Sequence, residues 1–216
     1  MEKYKKEFIK FAIKRKALCF GEYKLKSGRI SPYFFNTGFF NDGESLAKLG
    51  RFYAEAIQSS DIKFEMIYGP AYKGIPLVSA MVTSFYEAFG ENYPFCFNRK
   101  EIKDHGEGGI ILGAEIKNRV IIVDDVISAG TSINESVSII NRQGGKVVGA
   151  IVAVNRQEQG QSKKSAIHEA EEKYKIKIIS IVDLSDIISY MGEYDSFEEH
   201  LNNMNAYIQK YGEIKE

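Results

Sequence analysis

The chain has 216 residues, 44% hydrophobic and 12% aromatic, enough to bury a core as one domain or one domain with a small appendage. Lysine and arginine total 29 and aspartate and glutamate also 29, so zero formal charge excludes bulk attraction to nucleic acid or membrane, and an anionic ligand must be met by local charge. Cys19 and Cys96 have no His or Cys beside them at metal-ligand spacing, which argues against a zinc cluster and for two free thiols in a reducing cytoplasm.

In chain order, Phe8, Ile9, Phe11, Ala12 and Ile13 form an apolar stripe that predicts an opening helix. Its basic flank carries glutamates and lacks the continuous apolar run of a leader peptide, and no run anywhere approaches the ~20 residues of a membrane span. The next stretch, ALCFGEYKLKSGRISPYFFNTGFF, is aromatic and broken by glycine and proline, and reads as short strands and turns. Residues 43–59 return to helical spacing. A regular alternation follows. Apolar β-branched runs at Phe64–Tyr68, Pro94–Phe97, Val120–Val123, Lys146–Val154 and Ile176–Val182 are separated by helical segments near 74–89, 130–143 and 162–174. That alternation predicts an α/β fold, a mostly parallel central sheet flanked by helices, as a single domain over 1–216 with the core sheet over about 60–185. The polar, glycine-rich segment 99–118 interrupts the alternation, and 99–109 is expected to be a mobile loop. Helical periodicity resumes after 195.

In such sheets ligands gather at the carboxyl ends of the strands. The segment RVIIVDDVISAGTSINES places Asp124 and Asp125 at the end of a buried strand, followed by Val126, Ile127, Ser128, Ala129, Gly130, Thr131 and Ser132 leading into a helix. Free backbone N–H groups and the dipole at a helix start favour an anion, and small residues admit a phosphate. Two adjacent carboxylates suit vicinal hydroxyls, so the pair and the turn together describe a site for a sugar with a terminal phosphate. Neither G-x-G-x-x-G nor the P-loop pattern occurs. A second strand ends in Gly69-Pro70-Ala71-Tyr72-Lys73-Gly74, again small residues before a helix, with a lysine in the turn. Arg99, Lys100, Lys103 and His105 then gather potential cations beside permissive glycines, a composition suited to closing over a polyanion while excluding water.

VIIVDDVISAGTS resembles the donor-binding signature of the type I phosphoribosyltransferases, and RKEIKDHGEGG resembles the catalytic loop of the orotate phosphoribosyltransferases. The resemblance spans about residues 20–190. It implies that fold, with a small N-terminal hood over about 1–40 that borders the base. It implies that Asp124 and Asp125 hold the ribose of phosphoribosyl pyrophosphate (PRPP), that residues 126–132 hold or border its phosphate, and that Tyr72 and Lys73 meet the pyrophosphate. By the same resemblance Lys26 reaches the donor, while Phe34, Phe35, Ser128 and Arg156 contact orotate, Arg156 through its carboxylate. The resemblance makes Lys73, Lys103, His105, Asp124 and Asp125 the catalytic candidates and implies Mg2+ as the cofactor, held mainly through PRPP and water. The active unit is expected to be a homodimer in which loop 99–109 acts in the neighbouring subunit's site, in pyrimidine (UMP) biosynthesis. Ser128 stands where the family usually has threonine and Asn155 where aspartate is common. Three rivals stay open: another base as acceptor, a non-catalytic regulator of the same fold, and a generic nucleotide-binding module.

Overall fold

The computed structural model describes residues 1–25, 27–103, 109–127, 130–160 and 163–213, leaving aside the side chains of Ile102 and Lys103. Helix α1 (Lys3–Lys14) leads into an antiparallel ribbon of β1 (Leu18–Lys24) and β2 (Ile30–Phe35), and α2 (Gly43–Gln58) follows. The alternating part is β3 (Met66–Gly69), α3 (Gly74–Phe89), β4 (Phe95–Lys103), β5 (Gly109–Gly113), β6 (Arg119–Val123), α4 (Thr131–Arg142), β7 (Lys146–Asn155), α5 (Ala166–Tyr174) and β8 (Lys177–Asp183). Two helices close the chain, α6 (Leu184–Met191) and α7 (Glu198–Tyr211).

The larger sheet has the order β5-β4-β3-β6-β7-β8, parallel throughout except for β5 at one edge. Side chains of a strand alternate between faces, and both faces here are apolar. Ile67, Ile121, Val123, Ile151 and Ile181 point into one cluster with α1, α2, α3, α6 and α7. Met66, Tyr68, Val120, Ile122 and Val152 point into the other, under α4 and α5. The ribbon joins the first cluster through Leu18, Tyr33 and Phe35, the last packed 6.2 Å from Phe8. Helix α2 starts at a capping box in which Asp42 and Ser45 satisfy each other's backbone N–H, and α6 repeats the device with Asp183 and Asp186.

One expectation is corrected. Arg99 to Lys103, read as the start of a loop, continue β4, and Lys103 pairs with Gly109 of β5. Polar residues are acceptable there because β4 runs past its pairing with β3, which ends at Phe97, and beyond it pairs only with the edge strand β5. Helix α5 also begins at Ala166, later than the expected 162, where Ser165 caps it by accepting from the backbone N–H of His168 at 3.2 Å. Expectations placed on Lys26, the Lys103 side chain, His105, Ser128 and Ala129 lie outside the described residues.

Candidate active site

Strands β3, β6 and β7 are parallel, so the turns after them open on one edge of the sheet. From β3 the chain runs outward to β4 on one side; from β6 it runs to β7 on the other. Between β3 and β6 the winding reverses, and the crevice there is where an open α/β sheet binds its ligand.

The turn after β6 delivers Asp124 and Asp125. The backbone N–H of Asp125 donates to Asp124 Oδ1 at 2.9 Å, and that of Val126 to Asp125 Oδ1 at 2.8 Å, so each carboxylate is fixed by the next peptide. Ser132 Oγ donates to Asp124 Oδ2 at 2.6 Å. Gly130 caps α4 at φ 71°, a left-handed conformation that glycine adopts without strain. It brings no side-chain cap, which leaves the first-turn N–H groups of α4 available to an anion.

The turn after β3 delivers Lys73, whose ammonium pairs with Asp125 across the crevice, while Thr37 Oγ1 donates to the same Asp125 oxygen at 3.3 Å. Asp125 is buried and Lys73 is half exposed, so the lysine can turn to another anion once other donors take its place at the carboxylate. Tyr72 is exposed at the tip of the turn. Asn98 of β4 steadies it by accepting from the backbone N–H of Ala71 at 2.8 Å. A cavity of about 260 Å³ lies beside these groups, lined by Tyr68, Ala71, Asn98, Lys100, Thr131 and Ser132. Lys100 stands 3.7 Å from Glu135 at its rim.

The turn after β7 delivers Arg156, which lies over the Tyr33 ring at 4.5 Å and donates to Glu158 from Nε at 3.0 Å and Nη2 at 2.7 Å. Asn155 shapes that turn by accepting from the backbone N–H of Gln157 at 2.9 Å, while the Arg156 side chain itself is held by Glu158 and Tyr33. Of the aromatic pair expected at the base, Phe35 is committed to the core, while Phe34 is half-buried and stacked on Tyr23 at 5.4 Å.

Sequence reasoning missed Thr37, Asn98 and Glu158. For Thr37 and Asn98 no local signal exists, since both act across the fold. Glu158 had one: a carboxylate two positions after an arginine at a strand end.

Burial pushes the Asp124 carboxyl above the usual aspartate range, with the Ser132 hydroxyl lowering it and the Asp125 charge raising it again. Between the ordinary aspartate pKa, about 3.9, and the raised one, the folded chain holds the proton more tightly than the unfolded chain. Stability therefore falls as pH rises through that window, and the cost persists above it. Asp124→Asn, which keeps the shape without the charge, is expected to melt at a higher temperature than the parent near neutral pH. The gain should shrink towards nothing below about pH 4. Calorimetry across that range checks it; an equal or lower neutral melting temperature would mean the site already compensates the charge.

Residues 38–187 match the family model described as phosphoribosyl transferase domain. The orotate phosphoribosyltransferase of Thioalkalivibrio sulfidiphilus is 54% identical over 98% of this chain and 100% of its own length. That of Yersinia enterocolitica is 50% identical over 98% and 100%. The crystal structure of orotate phosphoribosyltransferase from Francisella tularensis superposes with a TM-score of 0.87 at 40% identity, covering 95% of this chain and 99% of that one.

Proposed function

Since the chain belongs to the phosphoribosyltransferase family, and to its orotate phosphoribosyltransferases, we propose that the crevice after β3, β6 and β7 binds PRPP and orotate and joins N1 of the base to C1 of the ribose. The products are orotidine monophosphate and pyrophosphate, a step of pyrimidine biosynthesis. The observation that carries the residue assignment is the meeting of Lys73 with Asp125 across the crevice, where Asp124 is tied to Ser132 at the start of α4 and Ser132 in turn lines the cavity. One element supplies carboxylates for hydroxyls, its helix start an anion site, and the facing turn a movable cation.

In this reading Asp124 and Asp125 accept from the ribose hydroxyls, residues 130–132 take the phosphate, and Tyr72 and Lys73 meet the pyrophosphate. Bond breaking at C1 leaves an oxocarbenium-like ribose and a departing polyanion. Fixed dipoles and cations stabilise that charge without covalent attachment to the protein. Lys73 lines the side from which the pyrophosphate leaves, and Arg99, Lys100, Lys103 and His105 of a neighbouring subunit's segment 99–109 would join it on closure. Lys103 and His105 are the candidates to protonate the leaving group. Arg156, a planar guanidinium, suits the orotate carboxylate, with Phe34 beside the ring.

Magnesium fits this donor set, because a hard ion that keeps its water needs only oxygens to lean on. The ion would be held mainly through PRPP and water, with the Asp124 and Asp125 carboxylates as protein oxygens for that water to meet. When bound it would offset pyrophosphate charge.

We place the protein in the cytoplasm, a reading supported by the free thiols of Cys19 and Cys96. Among the described residues no helix is long and apolar enough to cross a membrane. We also read the active unit as a homodimer with segment 99–109 reaching the neighbouring site. If so, mixing Lys103→Ala with Asp125→Asn subunits should restore one intact site per heterodimer. No regain of activity after verified exchange would place the loop in its own subunit's site.

A spectrophotometric assay of orotate consumption with PRPP and magnesium, with uracil and hypoxanthine in parallel, tests the whole reading. Loss of orotate alone, with pyrophosphate release, is the expected result. Consumption of another base would move the acceptor assignment, and donor binding without turnover would favour a regulator.

A further inference from the structure

Arg156 is fixed in a one-sided way. Its Nε and Nη2 both donate to a single oxygen, Glu158 Oε1, at 3.0 and 2.7 Å, and Nη2 reaches Ser31 Oγ only at 3.4 Å. Tyr33 supports the guanidinium face at 4.5 Å and donates its hydroxyl to the same Glu158 oxygen at 3.3 Å. The buried Tyr207 hydroxyl also interacts with the guanidinium, and no further geometric hydrogen bond from Nη1 is present among the described residues. Both side chains of the pair are largely buried, at 17% and 12% exposure, so water does little to loosen it.

The segment carrying Glu158 is itself clamped. Gln159 N–H donates to Tyr211 O at 2.9 Å, Glu213 N–H to Gln157 O at 2.9 Å, and Arg29 Nη1 to Gln159 O at 3.0 Å. The end of α7 and the β1–β2 turn thus hold the short run behind β7 from two sides.

We propose that Glu158 is a positioning residue for Arg156, engaging the guanidinium side-on so that its Nη1 end is presented to the carboxylate of the acceptor base. The proposal rests on the reading of Arg156 as the carboxylate contact. A free arginine would have to give up several rotatable bonds at the moment of binding; one already anchored has lost them on folding. An acceptor lacking the carboxylate gains nothing from that anchoring, so the pair contributes to selectivity as well as affinity.

The test is steady-state kinetics with each substrate varied separately, on the full-length protein. Arg156→Ala and Glu158→Ala should each raise KM for orotate about tenfold or more, with KM for PRPP changed less than about twofold. Glu158→Gln, whose amide oxygen can still accept from Nε, should recover most of the loss. If Arg156→Ala raises the orotate KM and Glu158→Ala does not, the positioning role is overturned while the carboxylate contact stands. If neither variant moves it, the carboxylate contact falls and the positioning role with it. Equal rises in both KM values, or a Gln variant as impaired as Ala, would mark Glu158 as a general structural residue and overturn the proposal. Should Glu158→Ala fail to fold, Glu158→Asp takes its place. Its carboxylate is one methylene short of the guanidinium, and an unchanged orotate KM there overturns the role equally.

Discussion

Asp125→Asn is expected to lower kcat/KM for PRPP about a hundred- to thousandfold, the loss of two charge-assisted hydrogen bonds near the lower end of 1.5–3 kcal/mol each, at ~1.4 kcal/mol per tenfold. In the free enzyme the Asp125 carboxylate accepts from Lys73, from Thr37 Oγ1 and from its neighbour's backbone N–H. Donor binding as proposed replaces Lys73 and Thr37 at that carboxylate by ribose hydroxyls, while Lys73 turns to the pyrophosphate. An amide offers one accepting oxygen in place of two, and its NH2 faces the incoming hydroxyls with the wrong polarity. The fold should survive. Lys73, half exposed, finds water when its partner is neutralised, so the stability change stays within about 1 kcal/mol. Kinetics with PRPP limiting and orotate saturating, beside a melting curve, separates the two effects. A loss smaller than about tenfold with the melt unchanged would move the ribose away from Asp125.

Gly69→Ala should act on the fold. Gly69 ends β3 and Gly74 begins α3, and the Gly74 N–H donates back to Pro70 O at 2.8 Å to close the turn between them. A methyl on Gly69 would collide with the Gly74 carbonyl and lie 2.9 Å from Val78 Cβ. One on Gly74 would lie 2.6 Å from Pro70 Cδ. Backbone meets backbone here, so no flexible side chain can yield. Overpacking ordinarily costs about 1–3 kcal/mol, and a clash with main chain belongs at the top of that range. For a chain of this size that corresponds to a melting temperature lower by about 6–12 °C. Activity should fall with it, because pushing α3 away carries Lys73 and Tyr72 out of the crevice. Differential scanning calorimetry decides, and a fall of less than about 2 °C would show that α3 can retreat without loss.

Both variants touch motifs visible along the chain, yet for different reasons. The small residues of Gly69-Pro70-Ala71 and Gly130-Thr131-Ser132 mark strand-to-helix turns that only a tight backbone can make. The alternation in Val120–Val123 predicts a strand buried on both faces, and the structure sends Val120 and Ile122 to one cluster, Ile121 and Val123 to the other. Apolar β-branched strands alternating with helices were likewise enough for a parallel sheet and for the edge on which the turns after its strands gather. These features depend on neighbours a few positions apart, whose sterics and periodicity are written locally.

Other features depended on which strands lie side by side. The polar run Arg99 to Lys103 has the composition of a loop, and becomes a strand because Gly109–Gly113 supplies an edge partner. Helix α6, only eight residues long and directly after β8, gave no periodic stretch long enough to read. Lys73 meets Asp125 across 52 positions, and Thr37 meets it across 88, because β3 and β6 became neighbours where the winding reverses. The Tyr33 shelf under Arg156 likewise comes from the β1–β2 ribbon folding against β7. By itself the sequence determined most of the strands and helices and which acidic, basic and small residues stand at the turns between them. Which turns share one crevice, and which charge faces which, was decided by tertiary packing, since strand order follows from burying both faces of the sheet at once and no short stretch of chain encodes it.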